Sequence, residues 1–476
     1  MRHLFLSISL AVFIATSLFS QSLTFERTYG GDTYEDARSI TPAGDGCFVF
    51  TGLDKSSDDP TGDTYLTKIN AAGAVIWSKN YGLPKEDGGN FLLSTSDGGF
   101  LIVGHTANSY GEECDGYLVK TDADGDEQWH LFLGTPLDDV CSAGLEEGGA
   151  FFLTGRILNP ADRLFDVMLA KVSASGELLF LKNLPGSGDE HGFKIELAAN
   201  GGFFIAGYAK ELNGGGDEQM LVLKCDAEGN LLWRQVFGTE FHDRAYSVLP
   251  STDGGCIVAG GNSELPYTEK RRQPCLAKLD AGGNLRKFQS ILPEPGTGYL
   301  FDGCQDKDGR LAFAGFFQKE NAAVGNACLL LADSDLNLLD FRVLESEHQS
   351  EARSLQSLGN DEFVLAGGTS LPGAPPDIWL AKMNLGSSVS GSFEVAEQPI
   401  LLFPNPFSEL AYFKVGNAPQ PKTLTLTNLE GKVMKSVSFD DVEMFLSRGD
   451  LPAGAYFFAV LNAKGEILAK GRLVAR

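Results

Sequence analysis

Acidic residues recur near one position of a repeating pattern: Glu35 and Asp36, Glu86 and Asp87, Asp138 and Asp139, Asp189 and Glu190, then Asp243. A ring of such carboxylates, with Asp36, Asp87, Asp139, Glu190 and Asp243 as its members, could hold calcium or the hydroxyls of a glycan. Paired acids could in principle hydrolyse a glycosidic bond. The simpler reading is that an acid repeated in nearly every unit accepts backbone N–H bonds and holds neighbouring units together. Catalytic groups usually break a repeat's symmetry. His191 and His242 do break it, and two histidines suggest a metal site, although solvated loop histidines are the favoured reading. The segment 122–127, DADGDE, resembles a calcium loop but lacks the 12-residue ligand ladder, so a hairpin turn is expected. Lys270, Arg271 and Arg272 form a basic cluster best read as a solvated loop. HExxH, GxSxG, phosphate-loop and paired CxxC motifs are absent from the sequence.

What positions these acids is a repeat. Apolar strands closing on glycine end at Gly52, Gly104, Gly155, Gly207, Gly260, Gly315 and Gly367, with successive separations of 52, 51, 52, 53, 55 and 52 residues. Seven units of one period define a repeat architecture. Within each unit a polar loop follows the glycine. Next come an apolar run closing on lysine, a short Asp/Asn/Gly turn, a strand opening on an aromatic residue, and an acidic loop leading into a last strand. Four short antiparallel strands per unit, repeated about an axis, predict a β-propeller. The seventh unit lacks its fourth strand, and residues 23–30 (LTFERTYG) match residues 75–82 (VIWSKNYG). The expected fold is therefore all-β: a seven-bladed β-propeller over residues 21–384, about 52 residues per blade, with the N-terminal strand closing the last blade. A Gly/Ser-rich and then acidic linker spans 385–399, and residues 400–476 read as a small Ig-like β-sandwich built from hairpins around Gly431 and Gly465.

Composition narrows the function. The formal net charge of −25 repels phosphate backbones and anionic membranes, so nucleic acid is not an expected partner. Residues 1–20 carry a basic start and an apolar run of export-signal type, and no second apolar span follows, so the mature protein is expected to have no transmembrane span. Of the eight cysteines, Cys47 and Cys256 occupy the column of Phe100 and Phe203, and Cys275 and Cys328 that of Tyr65, Tyr117 and Trp379. That favours buried free thiols over a disulfide framework.

Residues 402–407 (LFPNPF), 426–434 (LTNLEGKVM), 451–460 (LPAGAYFFAV) and the closing basic-apolar segment 470–474 resemble the type A sorting domain of the Bacteroidota type IX secretion system. The resemblance implies a sorting signal that includes Pro404, Asn405, Pro406, Gly431, Gly454 and Tyr456. It also implies engagement with the type IX machinery, passage through the periplasm, and release or display at the outer-membrane surface. The repeats resemble those of secreted Bacteroidota propeller proteins, and in part the sialidase Asp-box and quinoprotein blades, whose shared devices are structural. If the N-terminal strand is outermost, the tight turns lie on one face and the variable loops on the other, where binding usually sits. The expected function is a non-enzymatic secreted or surface protein that binds an extracellular glycan or protein with that loop face. No cofactor is expected, calcium being the one ion to consider. A polysaccharide hydrolase or lyase using the loop-face acids is the alternative, and an envelope spacer a third reading.

Overall fold

The computed structural model describes residues 22–475 except 32, 45, 56–61, 83–85, 108–113, 212–216, 240, 264–271, 292–294, 372–373, 386–399, 404–409, 416–421, 429–431, 441–442, 450 and 463–466. The expected export signal, nearly all of the linker, Lys270 and Arg271, and Pro404, Asn405, Pro406 and Gly431 lie outside the described residues. The chain divides into two compact units, residues 1–386 and 387–476.

Among the described residues the first unit contains seven four-stranded antiparallel sheets. Six run in chain order from inside to outside, as in Tyr34–Pro42, Phe48–Lys55, Asp63–Ile69 and Val75–Asn80. The innermost strands of the next five are Glu86–Ser94, Asp139–Glu147, Gly188–Leu197, Arg244–Pro250 and Gly296–Gln305. The seventh sheet takes Gln349–Gly359, Glu362–Ser370 and Asp377–Asn384 from the end of the unit and Ser22–Tyr29 from its start. Ser22 lies opposite Asn384 and Thr28 opposite Trp379, so two segments some 350 residues apart share a ladder. Each innermost strand packs on the next, and Gln349–Gly359 packs on Tyr34–Pro42. The unit is a β-propeller.

The burial pattern explains why the strands read as they do. The two middle strands of a sheet are covered on both faces by neighbouring sheets and are nearly continuous in apolar residues, as in Phe100–Ala107. The outermost strand alternates exposed and half-buried, as in Val75–Asn80. Cores therefore lie between sheets: Ala37, Ile40 and Phe50 of the first sheet pack with Phe25, Val364, Ala366, Ile378 and Leu380 of the seventh.

One irregularity is repeated in every sheet. The register between the innermost strand and its neighbour slips by one residue, between Ala37 and Ser39, Gly89 and Phe91, Cys141 and Ala143, Gly192 and Lys194, Ala245 and Ser247, Leu300 and Asp302, and Ala352 and Ser354. A β-bulge leaves one residue unpaired and bends the strand. It also accounts for the closing glycines. A Cβ on Gly52, Gly104, Gly155, Gly207, Gly260, Gly315 or Gly367 would fall 1.7–2.0 Å from the carbonyl oxygen two residues before the bulged position. The glycine is needed for that close approach.

The second unit has a three-stranded sheet (Ile400–Phe403, Leu410–Val415, Glu443–Ser447) and a four-stranded one (Val433–Phe439, Lys422–Thr427, Gly454–Asn462, Ile467–Ala475). Its core holds Phe413, Leu424, Leu426, Leu446, Phe458 and Val460, with the Phe413 and Phe458 rings edge to face at 5.2 Å. Gly454 opens one strand. Tyr456 is buried, and its hydroxyl donates to the Pro452 carbonyl at 2.6 Å.

Candidate binding site in the propeller channel

The seven bulged residues are Arg38, Asn90, Ser142, Phe193, Tyr246, Phe301 and Arg353, and all of them line one cavity of about 490 Å³. The bulge thus has a geometric consequence, since it turns one side chain per sheet into the central channel. Four of the seven are polar and adjacent around the ring (Arg353, Arg38, Asn90, Ser142). The other three are aromatic and also adjacent.

The aromatic side is a continuous surface. Phe193 stacks on Tyr246 at 5.1 Å, Tyr246 meets Phe301 at 5.3 Å, and Phe301 packs edge-on to Tyr299 at 4.8 Å. The polar side is a hydrogen-bonded relay. Arg38 donates to the Asn90 amide oxygen at 2.8 Å, Asn90 donates to the Cys141 carbonyl at 2.8 Å, and the Ser142 hydroxyl lies 2.7 Å from His191 Nε2. His105 approaches Asn90 at 3.3 Å. Burial, with the Arg38 and Arg156 guanidiniums next, pushes the His105 pKa down to about 4. Burial, followed by Arg156 and Arg244, pushes His191 down to about 3. Both rings are neutral at pH 7, each offering one donor and one acceptor.

The floor of this cavity is Lys194, which donates to Asp302 at 2.9 Å and lies 4.6 Å from the Phe91 ring centre. A second cavity of about 430 Å³ lies beyond it, lined by Thr41, Ser94, Pro250 and Gln305 at the tight-turn ends of the inner strands. Lys194 and Phe91 line both cavities. The upper cavity, next to His105 and Arg156 at the starts of the variable loops, is a cup.

Charge in the cup is nearly balanced. Arg38 and Arg353 both reach Asp36, at 3.1 and 3.4 Å, and Arg353 also meets Glu351 at 2.6 Å. Although burial opposes it, the two guanidiniums hold the Asp36 carboxyl below its ordinary pKa. Lys194 is matched by Asp302. Arg156 is different. Its guanidinium stacks 4.3 Å above the Phe165 ring, its Nε is buried without a hydrogen-bond partner, and among the described residues it forms no ion pair.

The acids singled out in the sequence are all buried: Asp36, Asp87, Asp139, Glu190 and Asp243 expose 1% or less. Strand register places Glu35, rather than Asp36, in the column of Asp87, Asp139 and Glu190, because Glu35 lies opposite Asp54 as Asp87 lies opposite Thr106. Asp36 is one residue nearer the bulge and accordingly serves the channel arginines. Asp139 accepts from the Thr135 amide, the Thr135 hydroxyl at 2.9 Å and the Leu158 amide at 3.0 Å. Asp243 repeats this with Thr239 and with the Ser263 amide at 2.9 Å. Burial raises the pKa of both carboxyls. Glu190 meets Arg234, and the Asp87 amide donates to the Gly62 carbonyl at 2.9 Å. The preceding glycines accommodate these acids, since a Cβ on Gly134, Gly186 or Gly238 would strike Asp139, Glu190 or Asp243.

The two symmetry-breaking histidines occupy different places. His191 is in the cup, whereas His242 lines a separate cavity and faces Asp217 at 3.1 Å and Glu218 at 3.6 Å. Among the described residues no group of three or more His, Cys, Asp or Glu is placed to hold a metal ion. Asp122 closes a hairpin, its carboxylate accepting from the Asp124 and Asp126 amides at 2.9 and 2.8 Å. All eight cysteines are free, and Cys141, Cys225, Cys256, Cys275 and Cys328 are buried. No helix among the described residues is long and apolar enough to cross a membrane. The channel ring itself escaped the sequence reading, although its members keep a fixed offset of three residues from the column of Glu35, Asp87, Asp139, Glu190 and Asp243.

Solved structures with a similar fold include a WD40 domain. The WD40 domain of Neurospora crassa Pan2 superposes with a TM-score of 0.50 at 10% identity, over 76% of this chain and 95% of that one. A protein of unknown function from Dyadobacter fermentans gives 0.45 at 12%, over 76% and 99%. PorZ, described as an essential surface component of the type IX secretion system of Porphyromonas gingivalis, gives 0.43 at 11%, over 94% and 60%. No protein-family model and no curated protein matches the chain. At 10% identity the likeness to the Pan2 domain shows the fold alone.

Proposed function

We propose that this chain is a secreted or cell-surface binding protein whose propeller, a closed ring of seven blades, receives an extracellular glycan or protein in the channel cup. The observation that carries this reading is the bulge ring: a rigid, repeated backbone device presents seven positions to one cavity, and their residue types are varied while the scaffold positions repeat. Binding pockets combine apolar walls with a few fixed polar groups, and the cup has both. For the buried acids we propose the supporting role, holding the loop-side ends of the inner strands, so neither calcium nor acid catalysis is needed. In the same reading the second unit is an Ig-like sandwich that acts as a type IX sorting domain, recognised by the secretion machinery after export through residues 1–20. Its support is the set of motifs at 402–407, 426–434 and 451–460.

The test is glycan-array and pull-down binding by the mature chain, with Phe193→Ala and Phe301→Ala as cup variants. Binding lost in both variants and no release of reducing ends is the expected result. Reducing ends released from a polysaccharide would establish the hydrolase or lyase alternative. Intact-mass measurement of the exported protein checks the sorting reading, which predicts loss of residues 400–476.

A further inference from the structure

We infer that the cup selects an anionic sugar, with Arg156 as the group that receives its carboxylate or sulfate. The inference rests on the binding reading above and specifies its ligand. Three observations point the same way.

The first is charge. Arg38 and Arg353 are neutralised by Asp36 and Glu351, and Lys194 by Asp302, which leaves the Arg156 guanidinium as the cup cation with no ion-pair partner among the described residues. A single positive centre in a chain of net charge −25 favours one anionic group and disfavours a polyanion. The guanidinium is planar and forked, a shape that matches carboxylate and sulfate oxygens in pairs. It is also held in place, because stacking on Phe165 at 4.3 Å fixes its plane without using its N–H donors.

The second is the division of the wall. A sugar ring has an apolar face and a rim of hydroxyls that both donate and accept. The Phe193, Tyr246 and Phe301 surface suits the face. Ser142 and the two neutral imidazoles are themselves both donors and acceptors, and hydroxyls satisfy such groups where a hydrocarbon side chain would leave them unpaired. An apolar peptide end bearing a carboxylate would meet Arg156 but waste that polar half.

The third is depth. Lys194 and Asp302 lie at the floor, and about 490 Å³ is room for a short saccharide segment entering from the loop face. A stiff, extended polyelectrolyte could enter only by its end.

The experiment uses the mature full-length chain and four probes in titration calorimetry: a galactotriose carrying one terminal galacturonate, its methyl ester, a monosulfated galactotriose and the unsulfated galactotriose. Expected is binding of one or both anionic probes at least tenfold tighter than that of their uncharged partners. Arg156→Gln should abolish that preference, and Arg156→Lys should retain part of it, with unchanged melting temperatures. Equal binding of charged and uncharged probes, or a preference that survives Arg156→Gln, overturns the inference while leaving the cup as a binding site, provided Phe301→Ala weakens all of the probes. Binding that is indifferent to Phe301→Ala, or none by any probe, overturns it together with the placement of a glycan in the cup. Tighter binding of a peptide with a free C-terminal carboxylate, titrated in parallel, than of all four saccharides also overturns it.

Discussion

Lys194 donates to Asp302 at 2.9 Å across the channel, although they belong to the fourth and sixth sheets and lie 108 residues apart. The pair bypasses the fifth sheet. Asp302 also accepts the Leu355 amide of the seventh sheet at 3.0 Å, and the Lys194 ammonium covers the Phe91 ring of the second. One buried ion pair therefore ties four of the seven sheets together at the level where the channel closes. Burial alone would lower the Lys194 pKa, but Asp302 and then Glu196 more than offset it and leave it raised.

This geometry predicts unequal effects of removing the two partners. Asp302→Ala strands a buried ammonium, whose other carboxylate, Glu196, is 3.8 Å away, and frees the Leu355 amide. Breaking a buried pair from one side costs about 3–5 kcal/mol. Lys194→Met should cost less, because Asp302 keeps the Leu355 amide and the Ser354 hydroxyl as donors. Urea denaturation followed by tryptophan fluorescence measures both, and a larger loss in Lys194→Met would show that the ammonium is not the group at risk.

Adjacent glycines offer a cleaner contrast. A Cβ on Gly367 would lie 1.9 Å from the Glu351 carbonyl oxygen, whereas one on Gly368 would find nothing nearer than 3.8 Å. Gly367→Ala must push the bulge carbonyl aside, and overpacking of this kind costs about 1–3 kcal/mol or more. Gly368→Ala should be within about 0.5 kcal/mol of wild type. The expected order of melting temperatures is wild type and Gly368→Ala together, Gly367→Ala well below.

The repeat was legible because each scaffold position has one physical demand. Gly52 and its six equivalents must admit a carbonyl, Gly134 and Gly238 must admit an acid, and turn residues such as Gly98 need a positive φ, here 87°. Only glycine meets these demands well, so the period shows in the letters. The closing strand was legible as a missing fourth strand. The channel ring was not, because a bulged residue has no demand except to face the cavity, and Arg38, Asn90, Ser142 and Phe193 share no chemistry. Asp36 was placed one column off for a related reason: with Glu35 beside it, the letters alone did not say which acid precedes the bulge by three residues. Arg156 follows a closing glycine, a position that elsewhere holds Leu53, His105 and Tyr208, and that it has no ion-pair partner among the described residues is visible only in three dimensions.

The two cup histidines make stability pH-dependent. Their folded pKa values are lowered to about 4 and about 3, from an ordinary value of 6.5. Below pH 6.5 the unfolded chain takes up protons that the folded chain does not, so stability falls as pH drops from 6.5 towards those values. Since both rings retain some exposure, the loss by pH 5 is about 1–2 kcal/mol for the pair. The double variant His105→Gln, His191→Gln should lose correspondingly less between pH 7 and pH 5 in denaturant titrations. A slope equal to that of wild type would count against neutral buried imidazoles.

The N-terminal strand should be required to keep the propeller closed. Ser22–Tyr29 supplies the outer edge of the seventh sheet, Phe25 is buried against Ile378 and Leu380, and the Trp379 indole donates to Glu26 at 2.8 Å. Without it, Asp377–Asn384 becomes an open edge of apolar character, the kind of edge that recruits other chains. A chain beginning at residue 30 is expected to elute as higher oligomers in size-exclusion chromatography, and a synthetic peptide of residues 22–29 added in excess should return it towards the monomer position. Phe25→Ala should act in the same direction more weakly, costing about 3–5 kcal/mol as a large-to-small core change. A truncated chain that stays monomeric with an unchanged melting temperature would mean that the ladder from Ser22 to Tyr29 contributes little, and that the inter-sheet cores alone hold the ring.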